Sequence, residues 1–157
     1  MLIVDTREKW TQATRKNAKD RRKDQHIKNY LDRHGIAYRV QKLDVGDYMM
    51  QGGRITVDRK SSIEEISGNL LNPADKRRFW AEARRAYAQR LRLVVLVETN
   101  KIRKMEDLRL WHSAYSPVSG CALIREMQRL KNAYGVQFMF CPKVSAARRI
   151  LEILEEQ

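Results

Sequence analysis

Val45-Gly46-Asp47-Tyr48 and, after nine intervening residues, Asp58-Arg59-Lys60-Ser61-Ser62-Ile63-Glu64 are the stretch from which the chain is best read. Between Tyr48 and Lys60 the pattern is that of a β-hairpin. Tyr48 to Gln51 is one strand, Gly52-Gly53 the tight turn and Arg54 to Lys60 the returning strand. Folding back in this way brings Asp47 close to Asp58 and Lys60. Side chains two apart on a strand share a face, so Asp58 and Lys60 point one way and Arg59 the other. Two carboxylates beside a lysine suit a hard divalent ion, Mg²⁺ or Mn²⁺. Mg²⁺ takes one or two protein carboxylates and fills its remaining positions with water and phosphate oxygens. An ion there lowers the pKa of a bound water, which Lys60 would orient or activate.

The bulk composition narrows the partners. At 157 residues the chain is long enough for one domain with a single core. Lys plus Arg number 32 against 19 Asp plus Glu, a net charge of +13, which is the electrostatic footprint of a protein that meets a polyanion. No apolar run approaches the roughly 18 residues of a spanning helix, and no signal-peptide pattern opens the chain. Nucleic acid therefore fits better than a membrane, and a cytoplasmic, intracellular protein is expected. Cys121 and Cys141 form no C-x-x-C pair and have no histidine at zinc-ligand spacing, so buried, reduced thiols are expected.

Leu2-Ile3-Val4 suits a buried central strand that stops at Asp5, and Leu91 to Val97 suits another that stops at Glu98. If the two run parallel, both acids emerge at the edge where open α/β sheets place ligands. Six of the nine residues from Arg15 to Lys23 are basic, and Arg15, Lys16, Arg21 and Arg22 are candidate phosphate contacts. Ile27, Tyr30 and Leu31 share a helical face closed by Gly35, and Tyr38 to Leu43 alternates as a strand. Ser61 and Glu64 fit a capping box. Asn72-Pro73-Ala74-Asp75 opens a helix with Phe79, Trp80, Ala83 and Tyr87 on one face. Ile102 to Leu110 suits a short helix and Trp111 to Gly120 a loop, in which His112 is an isolated histidine. Ser119 to Tyr134 is an amphipathic helix ended by Gly135. Val136 to Phe140 is a strand, and Val144 to Leu154 a closing helix with Val144, Ala147, Ile150, Leu151 and Leu154 on its apolar face. Strands alternating with helices imply an α/β sandwich.

Gly46-Asp47, a variable hairpin, and Asp58-Arg59-Lys60 with Glu64 four positions on resemble the G-D…E-R-K-x-x-x-D signature of the XPF-type structure-specific endonucleases, a branch of the PD-(D/E)XK nuclease superfamily. Val4-Asp5-Thr6-Arg7-Glu8, Leu43 to Tyr48, Leu93 to Glu98 and Ser116 to Phe140 look like the family in the same order, so the resemblance spans nearly the whole chain. It implies a restriction-endonuclease-like mixed sheet flanked by helices on both faces, in a single domain. It also implies a metal held by Asp47, Asp58 and the Arg59 backbone carbonyl, with Asp5 and Glu8 lining the catalytic cleft. Arg7, Arg77 and Arg78 fall where it implies nucleic-acid contacts, and Glu64 falls at a family acid that could assist catalysis rather than cap a helix. The expected activity is metal-dependent cleavage of branched or forked DNA, with pairing into dimers. Asp58 stands where the family usually has Glu, and Glu64 where it usually has Asp. Tandem helix-hairpin-helix modules of full-length members are not found up to Gln157, so substrate choice is expected to rest on a partner protein or on the basic helices. Two other readings stay open: a non-catalytic nucleic-acid-binding module, and a junction-resolvase or restriction-like member of the same superfamily.

Overall fold

The computed structural model describes residues 1–8, 10 and 23–156. Among these residues six strands form one sheet: β1 (Leu2–Val4), β2 (Tyr38–Val40), β3 (Tyr48–Met50), β4 (Ile55–Lys60), β5 (Arg92–Glu98) and β6 (Gln137–Cys141), in the order β2-β1-β3-β4-β5-β6. β3 pairs antiparallel with both β1 and β4, while the β1/β2, β4/β5 and β5/β6 pairs are parallel. All strands except β3 therefore point the same way. The carboxyl ends of β1, β4 and β5 and the amino end of β3 share one edge.

Among the described residues, five helices cover the two faces. Ile27 and Leu31 of α1 (Gln25–Arg33) and the apolar side of α5 (Ala146–Leu154) pack with Leu2, Val4, Tyr48, Val57, Val94 and Leu96. On the other face α2 (Ile63–Leu71), α3 (Pro73–Ala88) and α4 (Gly120–Tyr134) pack against Leu93, Val95 and Val97. β5 serves both layers because successive side chains alternate, which is why it is apolar at every interior position. This is the mixed sheet with helices on both faces that the sequence implied. No helix among the described residues is long and apolar enough to cross a membrane.

Several boundaries differ from expectation. The turn of the hairpin centres on Gln51 and Gly52, with the Gly53 N–H donating to the Met50 carbonyl (2.8 Å) and Gly52 at φ +74°. β2 stops at Val40, because its partner β1 ends at Val4, and the Leu43 N–H turns instead to the Asp5 carboxylate. The segment after Lys101 is a 3-10 turn, Met105–Leu110, rather than an α-helix. Val144 is exposed, lying on another 3-10 turn before α5, and Tyr87 is exposed too. Cys141 is buried as expected, but Cys121 is exposed.

Candidate active site at the carboxyl edge of the sheet

β3 pairs Tyr48 with Val57 of β4, so Asp47, just before β3, and Asp58, just after Val57, lie at the same edge of the sheet. The Asp47 N–H donates to the Val57 carbonyl (2.8 Å), and the Arg59 N–H donates to Asp47 Oδ2 (2.9 Å). Gly46 turns the chain just before, at φ +73°. A side chain there would start 2.1 Å from Thr56 Oγ1, whose hydroxyl donates to the Val45 carbonyl (2.9 Å). On the same side of β4, Lys60 Nζ lies 3.0 Å from Asp58 Oδ2 and 5.8 Å from the centre of the buried Phe79 ring. These groups open into a pocket of about 290 Å³ whose walls include Arg7, Glu8, Asp47, Asp58, Arg59, Lys60 and Glu82.

The Arg59 side chain runs to the opposite face, as strand alternation requires. Its guanidinium sits 3.7 Å from Glu8 and 3.2 Å from Glu98, both at the same sheet edge. The Tyr48 hydroxyl donates to Glu8, and His26 Nε2 lies 2.6 Å from Glu98. Glu98 is thus an anchor for a buried cation. Asp5 has no accessible surface: it accepts from the Arg7 N–H (2.8 Å), Arg7 Nε (2.6 Å) and the Leu43 N–H. The Arg7 guanidinium donates onward to the Gly46 carbonyl (3.0 Å). Asp5 was expected to line the cleft with Glu8; it lies instead behind the wall and aims Arg7 over the opening.

A family model of the ERCC4 domain matches residues 4–152. The chain belongs to the ERCC4 domain family. It also resembles the solved structure of XPF from Aeropyrum pernix, with a TM-score of 0.69 and 18% sequence identity over 99% of this chain and 63% of that one. That likeness shows the fold, and this chain spans less than two thirds of that protein's length. A search of curated proteins finds no match.

In this ERCC4 domain the pocket carries more negative charge than its cations neutralise. Burial pushes the Asp47 carboxyl well above the usual range, and the charges of Asp58 and Glu8 push it further. Glu8 is raised by burial against the pull of Arg59, and Glu82 by burial and by Asp58. Burial pulls the Lys60 amine down, but Asp58 and Asp47 outweigh it, so Lys60 is raised and stays an ammonium at neutral pH. Arg59 is likewise raised, because Tyr48, Glu8 and Glu98 overcome its desolvation. Asp58 Oδ2 is buried and lacks a hydrogen bond of good geometry despite its nearness to Lys60. A buried carboxylate oxygen with only an ammonium beside it, next to a second carboxyl of raised pKa, fits a small divalent ion. Among the described residues no three His, Cys, Asp or Glu side chains gather closely enough to hold an ion alone, so such an ion would draw most of its shell from water and phosphate.

The raised Asp47 gives a pH test. An acid whose folded pKa lies above its unfolded value favours the protonated fold, so without metal the domain loses stability as pH rises from about 4 through that raised value. Asp47→Asn removes this titration. The stability advantage of the variant over the native domain, measured by urea unfolding in EDTA, is expected to grow with pH across that window. A constant difference would show that Asp47 ionises freely.

The remaining expected contacts are scattered. Arg15, Lys16, Arg21 and Arg22 lie outside the described residues. Arg77 and Arg78, grouped together in the sequence reading, diverge around α3. Arg78 pairs with Asp75 and borders Lys60 and Glu82, whereas Arg77 faces Trp80 and Arg129. The N-cap of α2 is Ser62, not Ser61: its hydroxyl accepts from the Glu65 N–H (3.1 Å), while Glu65 reaches back to Ser61. Glu64 instead accepts from Ser113 Oγ (2.8 Å) and the Ala114 N–H (2.9 Å), pinning that loop. His112 is exposed, in an isolated bridge with Ser119. The residue that sequence reasoning missed is Glu82, which accepts from the Gly46 N–H (2.9 Å) and so braces the turn before Asp47. A signal existed: it is the only acid between Lys76 and Arg85, and it lies three residues after Phe79, beside the apolar stripe.

Proposed function

We propose that this domain is a metal-dependent endonuclease that hydrolyses phosphodiester bonds in branched or forked DNA, with Asp47, Asp58 and the Arg59 backbone carbonyl as ligands for Mg²⁺ or Mn²⁺. The observation that carries the reading is that Asp47, with its raised pKa, and Asp58, whose buried Oδ2 has Lys60 3.0 Å away, line one pocket. When bound, the ion would lower the pKa of a water and offset charge building on the phosphate. The chain's own groups do the rest. Lys60, as an ammonium, donates to the attacking water or to a phosphate oxygen, and Glu8 and Glu82 keep the pocket acidic around it. Arg7, held by Asp5 with its side chain largely exposed, meets a neighbouring phosphate, where its planar fork suits two oxygens. The Arg59 side chain stays with Glu8 and Glu98 and keeps β4 fixed. Pairing into a dimer, or with a partner protein that supplies specificity, belongs to the same proposal.

The test is a titration of Mg²⁺ and Mn²⁺, against EDTA, on end-labelled fork, flap and linear duplex. The expected products are one-sided nicks near the junction that require metal. Binding with no nicks at saturating metal would favour a non-catalytic module, and paired symmetric nicks would favour a junction resolvase.

A further inference from the structure

Beyond the pocket, we propose that the turn after β5 is a second phosphate-binding ledge for duplex nucleic acid, built from Lys101, Arg103, Lys104 and Arg109. The inference rests on the DNA reading above but adds a surface outside the pocket. All four side chains are exposed around one wide depression. Among the described residues none of the four is in an ion pair. Exposed cations elsewhere often are paired, as in Arg78 with Asp75, Arg85 with Asp44 and Arg148 with Glu152. Of the two acids in the turn, Asp107 is occupied by the N–H groups of Arg103 (3.1 Å) and Lys104 (3.2 Å). With Glu106 and Asp107 set against four cations, the turn keeps a net charge of +2.

Its position follows from topology. The turn leaves the carboxyl end of β5, the parallel neighbour of β4, so it rises from the edge that carries Asp58 and Lys60. It is also held rigidly. Leu108 is buried in the core, and the Gly120 N–H donates to the Trp111 carbonyl (2.7 Å). The approach is so close that a side chain at Gly120 would start 1.6 Å from the Leu108 carbonyl oxygen. Cations on a pre-set surface lose less entropy on meeting phosphates than cations on a loose tail.

Charge and shape select the partner. No aromatic side chain lines the depression, so it lacks the stacking platforms on which single strands are bound. A second copy of the chain is also disfavoured, because a two-fold contact centred on this patch would set like charges against each other. A duplex backbone, with its dense phosphates, fits.

The test compares two triple variants in EDTA by fluorescence anisotropy over a range of salt, on a blunt duplex and on one of its single strands. One is Arg103→Gln/Lys104→Gln/Arg109→Gln; the other is Arg33→Gln/Arg90→Gln/Lys131→Gln, at the opposite edge of the sheet, with the same loss of charge. On duplex, the ledge triple is expected to flatten the slope of log K against log[salt] by about 2.7, at about 0.9 per lost phosphate contact, and the control triple by less than about 1. Lys104→Glu alone is expected to flatten it measurably and serves if the triple melts early. Equal effects from the two triples, an unchanged slope, a loss confined to the single strand, or a changed oligomeric state without a changed slope would each overturn the ledge. A native chain that shows no salt-sensitive binding at all would remove the DNA reading itself. A native chain whose binding is salt-sensitive but indifferent to the ledge triple would remove only the ledge.

Discussion

Asp47→Ala and Lys60→Ala are each expected to lower the single-turnover rate of metal-dependent DNA cutting by at least about 10²-fold while leaving salt-sensitive binding nearly intact. The two variants fail for different reasons. Without Asp47, Asp58 keeps only Lys60 beside it, and a metal site of two carboxylates becomes a site of one. Without Lys60 the carboxylates remain, but no ammonium faces the water or the phosphate. Removing a single donor aimed at developing charge typically costs about 2.7–4 kcal/mol. Binding survives because phosphate contacts are spread over many cations, of which Lys60 is one. Cleavage by both variants at the native rate would show that this pocket is not where the bond breaks.

Arg59→Ala is expected to cost the fold about 3–5 kcal/mol, measured by urea unfolding at neutral pH. Its guanidinium is buried between Glu8 and Glu98, and deletion leaves Glu8 with Tyr48 and the buried Glu98 with His26 as their remaining partners. Arg59→Lys is expected to recover little, because one ammonium cannot span two carboxylates as a planar fork does. Adding Glu8→Gln to Arg59→Ala is expected to restore part of the loss. A cost below about 1 kcal/mol would mean that the network is solvated and does not brace the site.

What the sequence made legible was local. Asp47, Asp58 and Lys60 could be placed together because a hairpin joins them within a few residues and strand alternation assigns their faces. Gly135 and Asn72 announced helix ends through single-residue chemistry. The cap at α2 slipped by one because Ser61-Ser62 and Glu64-Glu65 offer two pairs at the same spacing of three, and only the path of the chain out of β4 chooses between them. The extent of β2 depended on the length of β1, which the alternation from Tyr38 to Leu43 does not encode. Glu82 meets Gly46 across 36 residues and His26 meets Glu98 across 72, so neither contact leaves a local pattern. Asp5 was visible as an acid at a strand end, but its commitment to Arg7 and Leu43 depends on how β3 slots between β1 and β4.

The most direct measurement is an anomalous difference map from crystals of the native domain soaked in Mn²⁺. A single strong peak is expected in the pocket, about 2.0–2.3 Å from one carboxylate oxygen each of Asp47 and Asp58 and absent from Asp47→Ala crystals. A saturating soak that puts no Mn²⁺ between those two side chains, or puts it equally in the native and Asp47→Ala pockets, would contradict the proposed metal centre.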